Sequence, residues 1–166
     1  MQVIKKFLDL TELALSVVCV LSFVAMFVLG IATVVFRFII ESSLAFPDEL
    51  IRYLFIWMIS LGSAVALRRN VHAAIGVVVS HLPTVPRRAA LVGSSLLGIV
   101  FFALILVAGI KLTMRVQSQI SPALEISMAW VYGAVPVGMA FLILFSLELV
   151  VRQIKAPDAE LLADGQ

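Results

Sequence analysis

Four long stretches without charged residues set what this chain can fold into. In the second stretch, residues 53–67 would reach about 22 Å as an α-helix, and the flanking turns bring that length close to the apolar thickness of a bilayer, about 30 Å. Charged residues border the stretch on both sides, namely Asp48, Glu49 and Arg52 before it and Arg68 and Arg69 after it. This pattern predicts a helix that crosses a membrane.

The composition of the chain requires contact with lipid. Hydrophobic residues make up 63% of the 166 residues and charged residues 13%, whereas about a quarter of the residues in a soluble domain are charged. The mean hydropathy is +1.16. We therefore predict an all-α integral membrane protein. Its cationic residues form no patch with interleaved aromatic residues, so a nucleic-acid partner has no support.

The apolar runs predict four transmembrane helices with short interfacial helices. The spans are expected at about residues 13–36, 48–67, 89–110 and 126–147. Residues 1–12 mix charged and apolar groups, and the apolar part of residues 70–85 is too short to cross, so both segments are expected to lie along the membrane surface. These parts would form one membrane domain, residues 1–156, followed by a polar tail, residues 157–166.

The distribution of cationic residues predicts that both termini are cytoplasmic. The first apolar run is about 24 residues long, longer than the roughly 7–15 apolar residues of a signal peptide, and is expected to remain as a span. Four spans then place both termini on one side, which receives eight cations against four on the other. This bias agrees with the positive-inside rule. The eight are Lys5, Lys6, Arg68, Arg69, Arg87, Arg88, Arg152 and Lys155, and the four are Arg37, Arg52, Lys111 and Arg115.

The second span carries features at both ends that admit two interpretations. Pro47 suits the first turn of a helix, where Asp48 and Glu49 also favour the positive end of the helix dipole and lie on one face with Arg52. In one interpretation these groups cap the helix and pair with each other, while Arg68 and Arg69 hold lipid phosphates. In the other, which does not exclude the first, both charged groups fix the span against another subunit.

Residue pairs of small side chains predict close helix packing. Members of each pair are four positions apart, and such pairs let helix backbones approach closely. The pairs are Ser60 with Ala64, Gly62 with Ala66, Ser94 with Gly98, and Ala134 with Gly138. Trp57 is expected to anchor or pack its helix, and Pro136 is expected to bend the fourth span.

The span centres hold no ionisable residue, although such a group in mid-membrane would be the usual mark of a pump or an ion-coupled carrier. His72 and His81 lie in the connection between the second and third spans, nine positions apart, which is not a ligand spacing on one helix face. We therefore predict no catalytic residue, no cofactor and no metal site. Two alternatives remain open: a homo-oligomeric channel or carrier, and a small membrane enzyme that uses Arg68, Arg69 and both histidines.

Two segments of the chain match a known pattern. The first contains DELIRY, FIW and LGSAVALRRNVH within residues 48–72, and the second is SPALEISMAWVYGAVPVGM at residues 121–139. With the four-span layout, they resemble the small membrane subunit of tripartite ATP-independent periplasmic (TRAP) transporters, the DctQ-type small permease. One departure is Ser127, where that pattern commonly has proline.

The resemblance implies a non-catalytic subunit in a bacterial inner membrane. In that family the small subunit pairs with a large multi-span permease, which holds the transport site and the sodium coupling, and a periplasmic solute-binding protein delivers an organic acid of the dicarboxylate, keto acid or sialic acid type. The small subunit would steady the fixed scaffold of the large one. The candidate contacts to partner or lipid are Asp48, Glu49, Arg52, Trp57, Arg68, Arg69 and His72.

Overall fold

The fold is all-helical over residues 2–39, 46–70 and 84–155, the ranges that the computed structural model describes. Its helices are α1 (Gln2–Phe38), α2 (Phe46–Asn70), α3 (Thr84–Arg115), α4 (Ala129–Tyr132) and α5 (Ala134–Lys155). Within these ranges there is no strand, and Ile120 and Ser127 form an isolated β-bridge. Four segments are long and apolar enough to cross a membrane, the last formed by α4 and α5 together. The predicted fold class is confirmed, while the side on which the termini lie stays a prediction.

The first helix has no separate surface segment. We expected residues 1–12 to form an interfacial helix of their own, and this is wrong for the described part, because α1 continues without a break from Gln2. The reason lies in packing: Leu8 is buried, and Asp9 and Glu12 contact Arg68 of α2. The first turns of α1 thus pack against α2 and continue the same helix axis as the span.

Several expectations fall on residues that the structure does not describe. They concern most of the interfacial segment, including His72 and His81, and the tail at residues 157–166. The end of that segment is described, and Thr84 already belongs to α3. Proline is tolerated there because a first helical turn does not need its missing N–H, which lets α3 begin before Pro86.

The helices form a single layer in the order α1, α2, α5, α3. Helix α1 packs on α2, α2 packs on α5, and α5 packs on α3. Burial follows this order, because 28% and 33% of the most apolar windows of the two central spans are buried, against 6% for α1 and 11% for α3. The edge helices therefore expose large apolar side chains, such as Phe27 on α1 and Leu104 on α3.

The central pair of helices meets at the predicted small residues. Ala64 and Ala134 are fully buried, and a Cβ atom added at Gly138 would lie 2.6 Å from the carbonyl oxygen of Ser60. A Cβ added at Gly62 would instead lie 3.7 Å from Sγ of Cys19, on α1. The small residues of α2 thus allow close packing against two helices. Ser60 and Ala64 face α5, and Gly62 faces α1.

The connection between α3 and α4 begins just beyond Arg115. The third span was expected to end near residue 110, but α3 continues to Arg115, and the N–H of Gln119 donates to the carbonyl of Val116 at 3.0 Å in a turn. Further along, α4 and α5 are separated at Gly133. Pro136 explains that interruption, because it has no N–H to donate to the carbonyl four residues earlier.

Candidate functional site

One end of the helix layer is held together by a group of ion pairs around Arg68. Successive spans run in opposite directions, so the start of α1 and the ends of α2 and α5 meet at the same end of the layer. The guanidinium of Arg68 lies 2.6 Å from Asp9, 2.7 Å from Glu12 and 2.8 Å from Glu148. We call these four residues, together with Arg69, the Arg68 cluster. It joins three helices.

Every N–H group of the Arg68 guanidinium has an acceptor. Besides the three carboxylates, the carbonyl of Leu8 accepts a hydrogen bond from Nη1 at 2.9 Å, and Nη2 donates a second bond to Glu148 at 3.1 Å. The guanidinium also lies over the ring of Phe145, 5.4 Å from its centroid. Only 11% of the Arg68 side chain is exposed. A buried charge needs this degree of satisfaction, because desolvation otherwise exceeds the attraction of the pair.

Arg69 belongs to the same cluster but is more exposed. Its Nε lies 2.5 Å from Oε1 of Glu12, and its Nη2 donates to the hydroxyl of Ser16 at 3.2 Å. Glu12 is thereby held between two arginines. The sequence interpretation gave both arginines to lipid phosphates or to a partner, and those roles stay predictions, but the contacts on the chain itself were missed.

Asp9, Glu12 and Glu148 are the members of the cluster that the sequence analysis did not identify. Their signal was available, because each lies near a membrane boundary and the alternation of spans brings all three to the same end as Arg68. The sequence does not show which helices are adjacent, and so it does not reveal that α2 lies between α1 and α5.

At the opposite end, Glu49 of α2 binds the loop between α3 and α4. Its Oε2 accepts hydrogen bonds from the backbone N–H groups of Ala123 at 2.9 Å and Leu124 at 3.1 Å. Its Oε1 accepts a hydrogen bond from the hydroxyl of Tyr53. We call this arrangement the Glu49 clamp. It fixes an irregular loop to a helix that is distant in the sequence.

The loop that Glu49 holds is a compact hairpin. Ser121, which is almost fully buried, donates its N–H to Ile126 at 2.9 Å, and Glu125 adopts a left-handed conformation with φ of 53°. The hydroxyl of Ser127 donates to the carbonyl of Gln117 at 2.7 Å. Ser127, the departure from the expected proline, therefore satisfies a carbonyl just beyond the end of α3.

Asp48 and Arg52 do not form the pairs that one of the two interpretations predicted. That interpretation paired Arg52 with Asp48 and Glu49, but within the described ranges Arg52 forms no ion pair with either. The carboxylate of Glu49 is turned toward the loop, and Asp48 and Arg52 are both exposed. Pro47 does lie in the first turn of α2, as predicted.

Trp57 links the second span to the fourth. Its indole N–H donates to the carbonyl of Trp130 in α4 at 3.1 Å, while the side chain of Trp130 itself is largely exposed. The indole thus satisfies a carbonyl that lies close to the break before α5. Of the seven residues singled out from the sequence, six are described, and His72 lies outside the described ranges.

The side chains at these sites bind other parts of the same chain. Over the described residues, no group of three or more histidine, cysteine or acidic side chains could hold a metal ion. The carboxylates of the Arg68 cluster face guanidinium groups, and the carboxylate of Glu49 faces N–H and O–H donors. Each site fixes one element of the chain to another.

Comparison with known proteins points to one family. The sequence model of the DctQ component of tripartite ATP-independent periplasmic transporters matches residues 26–156. The chain is 26% identical over 147 residues to a TRAP transporter small permease protein of Haemophilus influenzae, and the match covers 87% of each chain. It is 30% identical to the C4-dicarboxylate TRAP transporter small permease protein DctQ of Rhodobacter capsulatus, over 60% of this chain and 45% of that one. It is 27% identical to the sialic acid TRAP transporter small permease protein SiaQ of Vibrio cholerae, over 72% and 69%.

Proposed function

Because this chain belongs to the DctQ family of TRAP transporter components, we propose that it is the small permease subunit that steadies a large transport subunit. A member of this family is a component of a transporter and not an enzyme. In our proposal the large subunit carries the substrate and the coupling sodium ions, and this chain supplies a fixed surface beside it.

The observation that carries the proposal is the internal attachment of the helix layer. The Arg68 cluster joins α1, α2 and α5 at one end, and the Glu49 clamp holds the loop after α3 at the other. No ionisable residue lies at the centre of a span, where a coupling site would be expected. A layer held at both ends suits a support better than a moving carrier.

We propose that the transporter takes up an organic acid across a bacterial inner membrane, with both termini of this chain in the cytoplasm. The names of two relatives mention a C4-dicarboxylate and sialic acid, which supports a dicarboxylate, keto acid or sialic acid as the substrate class. A periplasmic solute-binding protein would deliver it. Selection of the substrate would be left to the other two components.

Of the candidate residues on α2, Asp48 and Arg52 are the ones best placed to contact the large subunit. Glu49, Trp57 and Arg68 already bind groups of this chain, whereas Asp48 and Arg52 are exposed and have no ion pair within the described ranges. They lie at the rim of α2, a central helix of the layer. We propose that they orient the two subunits, while exposed apolar side chains supply most of the contact area.

Co-purification tests this proposal. The tagged chain, expressed together with the large permease subunit of a TRAP transporter from the same organism, should retain that permease in mild detergent, and both Asp48→Ala and Arg52→Ala should lower the recovered amount. Arg115→Ala removes an exposed cation at the same end of the layer and serves as the control. A homogeneous homo-oligomer that transports an organic acid alone in liposomes would overturn the proposal.

A further inference from the structure

A cavity beside the Arg68 cluster has a lining of both charges. Its volume is about 180 Å³, room for about six water molecules. The charged residues that line it are Lys5, Asp9, Glu12, Arg68, Glu148 and Arg152, and Phe145 and Leu149 complete the wall. Three cations and three carboxylates therefore face the same space.

The charged side chains around this cavity differ in how many partners they have within the chain. Arg68 uses all its N–H groups within the chain, as described above. Lys5 and Arg152 are exposed and form no ion pair with the described residues. Asp9 uses only Oδ1 for Arg68, and its side chain is 59% exposed. Over the residues that the structure describes, the cavity thus offers two cations without an ion pair and one carboxylate with an unused oxygen.

The cavity lies at the ends of three candidate membrane spans, and headgroups are expected at the level of such ends. It is formed by the first turns of α1 and the last turns of α2 and α5, at the boundary of three membrane-spanning helices. A ligand that satisfies this lining must carry an anion for Lys5 and Arg152 and a hydrogen-bonding cation for Asp9. A phosphate joined to a primary ammonium meets both needs, since an ammonium has three N–H donors and a phosphate accepts from cations.

We propose that this cavity binds the headgroup of a phosphoethanolamine lipid, with its phosphate between Lys5 and Arg152 and its ammonium at Asp9. A phosphocholine lipid has the same charges but no N–H donor for the carboxylate. A phosphoglycerol lipid has the phosphate but brings no cation to Asp9. The site depends on the membrane placement of the chain and not on its role as a transporter subunit.

Native mass spectrometry of the full-length chain in mild detergent tests the assignment. The three lipids are compared with identical acyl chains, and the phosphoethanolamine lipid should be retained about three- to tenfold more than the other two, the effect of one hydrogen bond of ordinary net strength. Lys5→Gln and Arg152→Gln should each lower the retention of all three lipids, because all three carry the phosphate. Asp9→Asn should remove the preference for the phosphoethanolamine lipid, because the carboxylate that accepts from the ammonium is then lost. Arg115→Gln, a charge change equal to Lys5→Gln at the opposite end of the layer, should preserve both the retention and the preference.

Three outcomes would overturn the proposal. Equal retention of the three lipids would do so, as would lipid binding that is unchanged in amount and preference in Lys5→Gln, Arg152→Gln and Asp9→Asn chains whose thermal unfolding is unchanged. The third is full displacement of the lipid by soluble phosphoethanolamine at equal concentration, which would make the ligand a soluble zwitterion. None of these results would alter the co-purification of the large permease, so failure here is distinguishable from failure of the proposed function.

Discussion

At the scale of single residues, Arg68 shows why this position needs an arginine. Its planar guanidinium directs five N–H groups outward in fixed directions, and here they reach three carboxylates and the carbonyl of Leu8. A lysine would bring the same charge with only three donors on one atom. The geometry of the group, and not its charge alone, connects three helices.

Arg68→Lys should destabilise the protein. The substitution keeps the charge but leaves part of the carboxylate set and the Leu8 carbonyl without a donor, which should lower the free energy of unfolding by about 2–4 kcal/mol. Unfolding in mixed micelles with increasing dodecyl sulfate measures the change. Arg69→Lys is the matched control, because that side chain is 57% exposed and its pair should contribute less than about 1 kcal/mol. Equal losses in both variants would contradict this account of Arg68.

Glu49→Gln should loosen the hairpin between α3 and α4. The amide keeps one acceptor oxygen but loses the charge that strengthens the bonds from Ala123 and Leu124. Amide hydrogen exchange at these two positions should become about tenfold faster, as expected for the loss of roughly 1.4 kcal/mol. Asp48→Asn, an equal change at the neighbouring exposed position, should leave exchange in the hairpin unchanged. The account fails if both variants exchange alike.

At the scale of the helices, the sequence predicts the elements well and their contacts poorly. The spans follow from length and hydropathy, because a bilayer admits only helices or closed barrels. The pairing of Arg68 does not, since its partners Glu12 and Glu148 are 56 and 80 positions away. Lipid is as apolar as the helix surfaces, so no hydrophobic pattern marks which face meets a neighbour. Small residues and boundary charges carry that information, but only once the order of the helices is known.

Gly138→Ala should disturb the packing of α2 against α5. The added Cβ would lie 2.6 Å from the backbone carbonyl oxygen of Ser60, and because a backbone atom cannot rotate away, the helices must separate. We expect the free energy of unfolding to fall by about 1–3 kcal/mol. In Gly30→Ala the new Cβ would meet no atom within 4 Å, so that variant should unfold like the parent. The same dodecyl sulfate titration compares the two, and a harmless Gly138→Ala would disprove the close contact.

At the scale of the whole molecule, the layer of helices leaves large surfaces to be covered. A bundle would bury each span against several others, whereas here α1 and α3 each pack mainly against one neighbour. The chain therefore presents two broad faces and two edges to its surroundings. Such a shape provides much contact area for few residues, which suits a chain whose task is to support another. The layer also requires a fixed alternation of span directions, because the Arg68 cluster and the Glu49 clamp lie at opposite ends.

The alternation can be tested by labelling from one side of the membrane. Single cysteines are introduced in a Cys19→Ala background. In intact cells, Lys6→Cys and Arg152→Cys should not react with a membrane-impermeant maleimide, and Arg37→Cys and Arg115→Cys should react. All four side chains are exposed in the chain itself, so differences in reaction would report the side of the membrane. The expected pattern follows from the excess of cations near the termini, which favours the cytoplasm.

Permeabilised cells provide the control, because all four positions should then react. The opposite pattern would reverse the orientation of the chain but would agree with the layer. Reaction of both Lys6→Cys and Arg37→Cys in intact cells would contradict the layer itself, since α1 could not then cross the membrane.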